Sequence, residues 1–154
     1  MKVYSLAVLS APPHGAATSL SAASDLSSFS FYQRGSVAEF MTFFSKTVAE
    51  RTPQGQRQSV QENNYTAHVY NRGGAEQLAG ELRWGAMVPR CVECVTGVII
   101  TDQEYPVRPA FSLLAKVLDE FATSVPQSSY SNPSSIAFPQ VRPLIACPHL
   151  MHIF

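Results

Sequence analysis

Two short apolar runs constrain this chain most: Val3-Tyr4-Ser5-Leu6-Ala7-Val8-Leu9 and Val98-Ile99-Ile100. Neither alternates cleanly between apolar and polar residues. A strand with one wet face alternates, whereas a strand covered on both faces need not. Both runs therefore belong near the middle of a sheet that has something packed against it. Neither approaches the roughly 20 consecutive apolar residues a membrane-spanning helix requires, and no other stretch does so. Met1-Lys2 ahead of the first run has the look of a signal peptide start. The run is short and β-type in composition, however, and Pro12, Pro13 and Gly15 follow it as a turn, so it reads as a buried strand.

The segments between these runs supply the rest of the fold. Thr18 to Ala22 can pair back on the first strand. Ser24 to Gly35 mixes serines with Phe29, Phe31 and Tyr32 and reads as a connecting loop with aromatic anchors. Ser36-Val37-Ala38-Glu39 has the form of a capping box, in which hydroxyl and carboxylate satisfy each other's backbone amides at a helix start. From there Val37, Phe40, Met41, Phe44 and Val48 fall on one helical stripe, and Pro53 and Gly55 stop the helix. Phe43 lies about 100° off the centre of that stripe.

Gln56 to Gln61 reads as a polar edge strand, and Glu62-Asn63-Asn64 as a turn. Tyr65 to Tyr70 alternates, with Tyr65, Ala67 and Val69 on one face and Thr66, His68 and Tyr70 on the other. Asp102 to Pro106 turns the chain into a second helix, since Pro106 and Pro109 are tolerated only in a first turn. Phe111, Leu114, Leu118 and Phe121 form its buried stripe, with Val117 beside it, and Pro126 ends it. The order is two strands, helix, three strands, helix. Hairpins with segregated helices predict an α+β fold, an antiparallel sheet with helices packed on it.

At 154 residues, 45% of them hydrophobic, the chain can bury one sizeable core. Eleven basic and eleven acidic side chains leave a formal net charge of zero. That balance gives no broad footprint for nucleic acid or an anionic membrane. Three cysteines cannot build a disulfide framework and fit a reducing cytosolic setting. Cys91-Val92-Glu93-Cys94 could be half of a zinc site or a redox pair. No second ligand pair stands at workable spacing, so neither a metal nor a cofactor is expected. His14, His68, His149 and His152 form no ligand or triad pattern. No nucleophile elbow or phosphate-binding glycine loop is present, so no catalytic residue is assigned.

Several blocks together carry a resemblance: Phe40-Met41-Thr42-Phe43-Phe44, Gly55-Gln56-Arg57-Gln58-Ser59, His68-Val69-Tyr70, and Val98 through Pro109 with its Glu104-Tyr105-Pro106. Met1 to Leu6 and Leu113 to Phe121 extend it. In this order they resemble the Ykt-type longin R-SNARE family, the prenylated synaptobrevin homologues of endomembrane fusion. The resemblance covers most of residues 1 to 72 and 98 to about 138. It implies a longin/profilin-like domain, a five-stranded antiparallel-type sheet packed with helices, over residues 1–138. It implies a non-enzymatic regulatory role in vesicle-mediated transport and membrane fusion. The chain would be cytoplasmic and peripherally associated with Golgi, vesicle or vacuolar membranes. In the family this domain folds back on a SNARE-motif helix and a prenyl or acyl lipid, and works with cognate SNAREs and trafficking factors.

Two segments depart from the family pattern. Residues 81–97 interrupt a hairpin that is tight in the family and read as an insert, of the kind an unspliced intron would leave. Residues 139–154 resemble nothing in the family and are expected to be a disordered tail. Without heptads, a central arginine layer or a prenyl-acceptor ending, the chain reads as lacking the fusion helix and lipid anchor. A longin subunit of a tethering or adaptor complex is the nearest alternative. An acyl-transfer enzyme is another, for which no nucleophile–base pair is apparent in the sequence. For the functional surface the candidates are Phe40, Phe43 and Phe44. Either Phe43 is the rim of the core, or these residues line an apolar groove that accepts a partner helix or lipid chain.

Overall fold

The computed structural model describes residues 2–12, 15–73, 94–126, 129, 130 and 132. The elements run β1 (Val3–Ser10), β2 (Thr18–Ser24), α1 (Phe31–Arg51), β3 (Arg57–Glu62), β4 (Tyr65–Gly73), β5 (Val95–Asp102) and α2 (Val107–Ser124). The strands form one antiparallel five-stranded sheet in the order β2-β1-β5-β4-β3. The two non-alternating runs occupy interior positions, and β5 is central. Every residue of β5 except Asp102 is buried. This is the α+β architecture that the element order predicts.

Each face of the sheet carries one helix. Leu114, Val117, Leu118 and Phe121 of α2 pack on Leu6, Val8, Val95 and Ile99. Met41, Phe44, Val48 and Ala49 of α1 pack on Ala7, Leu9, Ala67, Val69, Val98 and Ile100. The alternation of β4 has the expected consequence: Ala67 and Val69 face α1, whereas His68 and Tyr70 face the α2 side. Burying each Leu or Phe side chain contributes about 1.5–3 kcal/mol, so two stripes of this kind hold both helices to the sheet. A register shift between Val3 and Ser5 marks a bulge in β1. It turns Tyr4 towards the α1 side, where its ring meets Phe29 and Tyr65.

Helix α1 departs from its sequence reading at the N-terminus. It starts at Phe31 rather than near Ser36, with Ser30 as the N-cap. The Ser30 carbonyl accepts from the amides of Gln33 and Arg34, and the Arg34 guanidinium donates to the Phe29 carbonyl. Phe29 packs against the core and fixes where the chain enters, so the first turn closes before the capping box is reached. Phe31 and Tyr32, expected as anchors, are 81% and 93% exposed.

Helix α1 ends where Pro53 and Gly55 require. The Thr52 hydroxyl bonds the Val48 carbonyl, and Asn71 Nδ2 donates to the Thr52 carbonyl. Of the expected insert, residues 81–93 lie outside the described residues, as does the expected tail 139–154. The last three residues of that segment, Val95, Thr96 and Gly97, are strand, paired with Ser10, Leu9 and Val8 of β1. Hydrogen bonding on both sides draws them in, since the same three residues also pair with β4.

Candidate partner groove

A cleft lies between helix α1 and the edge strand β3. Phe40, Phe43, Phe44, Thr47, Val48 and Arg51 form the helix wall, and Gln58, Val60 and Glu62 form the strand wall. The cleft encloses about 360 Å³, within the usual range for a site that holds a small ligand or chain. Its lining is mostly apolar, and Arg51 and Glu62 contribute one basic and one acidic side chain.

Helical phase determines what each aromatic does. Phe44 is 8% exposed and belongs to the core. Phe40, one turn earlier, is half-buried and stacks on it, with centroids 5.6 Å apart and an interplanar angle of 22°. Phe40 also meets Tyr65 of β4 at 6.1 Å, and Tyr65 meets Tyr4 edge-on at 5.3 Å. Burial pushes the Tyr4 phenol above its ordinary range, with the Asp102 charge and Tyr65 adding to the shift, so the Tyr4 hydroxyl keeps its proton. Phe43 stands apart at 70% exposed. The structure thus brings the three sequence candidates to one cleft, as a core residue, a half-buried floor and an exposed rim.

Elsewhere, among the described residues, no group of three or more His, Cys, Asp or Glu gathers as a metal site would require. No helix among them is long and apolar enough to cross a membrane. Cys94 is buried at the head of β5, where its sulfur accepts from the Gln54 amide at 2.7 Å. Cys91 lies outside the described residues. Sequence reasoning missed one pairing: the Ser59 hydroxyl lies 2.8 Å from His68 Nδ1, so a hydroxyl–imidazole pair does exist. Its signal was the Glu62–Tyr65 turn. A register closed by Glu62 opposite Tyr65 places Ser59 opposite His68.

A family model for longin, described as a regulated-SNARE-like domain, matches residues 26–145. The chain belongs to the longin family. Among curated proteins this longin chain is similar to the synaptobrevin homologue ykt6 of Schizosaccharomyces pombe. The two are 45% identical over 142 residues, which is 92% of this chain and 62% of the relative. It is also similar to the synaptobrevin homologue YKT6 of Eremothecium gossypii, at 45% identity over 84% of this chain and 55% of the relative. The Saccharomyces cerevisiae homologue of the same name is 42% identical over 86% and 56% of the two chains. The chain therefore spans a little over half the length of these relatives.

Proposed function

We propose that this chain acts as the regulatory longin domain of a vesicle-fusion R-SNARE. In this reading its α1–β3 groove captures a SNARE-motif helix together with a prenyl chain. The observation that carries the reading is Phe43, a large apolar side chain 70% exposed at the lip of an apolar cleft. A core-rim phenylalanine gains by covering itself, whereas an exposed one beside a cleft is covered only when something docks. The match to a regulated-SNARE-like domain and the similarity to synaptobrevin homologues support an occupant from the SNARE machinery. An amphipathic helix lays its apolar residues against Phe40 and Val60, and an isoprenoid tail runs between the walls. Arg51 and Glu62 set its direction by charge. Association with Golgi, vesicle or vacuolar membranes then follows from the captured lipid and from cognate SNAREs.

The test is a titration with a SNARE-motif peptide carrying a prenylated C-terminal cysteine, comparing wild type with Phe43→Glu. Covering Phe43 is worth about 1.5–3 kcal/mol, so the variant should bind at least tenfold more weakly. Its melting temperature should stay close to wild type, because the new carboxylate remains in water. Equal binding by the two proteins, or an unfolded variant, would reject the groove assignment.

A further inference from the structure

The opposite face of β3 carries a second arrangement that the groove does not use. Ser59 is exposed on the edge strand, and His68, directly across on β4, is 1% exposed. Their side chains meet at 2.8 Å through Nδ1. The other imidazole nitrogen, Nε2, faces the Thr101 hydroxyl at 3.4 Å, and Phe111 of α2 packs edge-on at 5.6 Å. Thr101 has one hydroxyl proton, and main-chain carbonyls of Asp102 and Thr66 stand at 3.0 and 3.5 Å to accept it. Its oxygen is then left to accept from Nε2–H, which makes Nδ1 the bare, basic nitrogen. Ser59 consequently donates its O–H to Nδ1, which is the geometry of a hydroxyl beside its general base.

Burial holds the imidazole below its ordinary value of 6.5, and therefore neutral near pH 7, as a base must be to accept a proton. Beside the hydroxyl, two residues along the same strand face, the Arg57 guanidinium lies 4.6 Å over the Tyr70 ring and 6.0 Å from that of Phe111. Successive same-face residues of a strand stand about 7 Å apart, so Arg57 is within reach of a group bound at Ser59. The shelf presents ring faces and a positive charge, which suits an aromatic leaving group that departs as an anion.

We propose that Ser59 and His68 form a nucleophile–base pair and that Ser59 is a site of covalent acylation by an activated aryl ester. Ser59 Oγ bonds to the ester carbonyl carbon while its proton passes to His68 Nδ1. The tetrahedral adduct then collapses, the carbonyl carbon–aryl oxygen bond breaks, and the phenolate leaves facing Arg57. The imidazolium gives its proton to the departing oxygen. The balance is one serine hydroxyl and one aryl ester converted to one serine ester and one phenol.

The experiment incubates the full chain with p-nitrophenyl acetate at neutral pH, following nitrophenol release and locating the acetyl group by peptide mass spectrometry. We expect about one acetyl group per chain on Ser59, formed well ahead of any label on other serines, and no such burst from Ser59→Ala. His68→Asn should slow the reaction about 100-fold or more, the usual contribution of a positioned general base. Thr101→Val leaves the imidazole in place but removes the acceptor that fixes its tautomer, and should slow the reaction about tenfold. Labelling spread over serines without preference for Ser59 would overturn the proposal. So would a Ser59 rate unchanged in His68→Asn, and should that variant fail to fold, an unchanged rate in Thr101→Val decides against it.

Discussion

Gly97 lies where the second helix comes closest to the central strand, and replacing it with alanine measures that approach. A methyl group there would meet Leu114 Cδ2 at 2.9 Å and the Leu118 Cγ and Cδ2 atoms at 3.3 Å. Carbon atoms ordinarily rest about 3.5–4.0 Å apart. Both leucines are fully buried, so neither can swing into solvent to make room. Forcing an extra carbon into a packed core costs about 1–3 kcal/mol. Removing a glycine from a strand interior returns about 0.5–1 kcal/mol through the unfolded chain. The balance is a destabilisation of roughly 0.5–2 kcal/mol, or a melting temperature lower by about 1–8 °C.

Thermal melts followed by circular dichroism would measure this, together with a double-mutant cycle against Leu114→Val. The shorter valine retracts the clashing carbon, so Gly97→Ala should cost clearly less in that background. An unchanged or raised melting temperature would refute the close packing of α2 on β5. An identical cost with and without Leu114→Val would place the strain somewhere else.

Two further outcomes follow from buried polar groups. Thr96 Oγ1 is buried with no hydrogen-bond partner among the described residues, so the near-isosteric Thr96→Val should stabilise the fold by about 1 kcal/mol in denaturant titrations. His68 has a folded pKa held below its ordinary 6.5 by burial, so the unfolded chain binds a proton first as pH falls. Its contribution is fully present above about 6.5 and is lost progressively from there down to the folded value. Stability measured from pH 8 to 5 should decline over that window, and His68→Phe should flatten that part of the profile.

The sequence was most legible where one residue pattern had one physical reading. Val3 to Leu9 and Val98 to Ile100 lack alternation because both faces of β1 and β5 are covered, and the two strands are indeed interior neighbours. The phase of α1 separates Phe44 from Phe43 by one residue, hence by about 100°. That rotation is enough to bury the first and leave the second exposed.

Local signals failed where tertiary contacts decided the outcome. The Ser36–Glu39 capping box is sound local chemistry, yet packing of Phe29 and the Arg34–Phe29 hydrogen bond start the helix six residues earlier, with Ser30 as the N-cap. Val95 to Gly97 carry little signal of their own, and become strand because β1 and β4 each offer a hydrogen-bonding edge. Ser59 and His68 are nine residues apart, and only the register of the β3–β4 hairpin brings them together.

A partner docking between α1 and β3 would be located residue by residue by mapping amide chemical shifts during titration with the prenylated SNARE-motif peptide. Strand β3 makes the measurement discriminating, since Gln58 and Val60 face the groove while Arg57 and Ser59 face the other side. Saturable shifts are expected, centred on Phe40, Phe43 and Thr47 of α1 and on Gln58 and Val60 of β3, with α2 largely unmoved. Saturable shifts centred on α2 or β2, or no saturable shifts at all, would contradict docking in this groove.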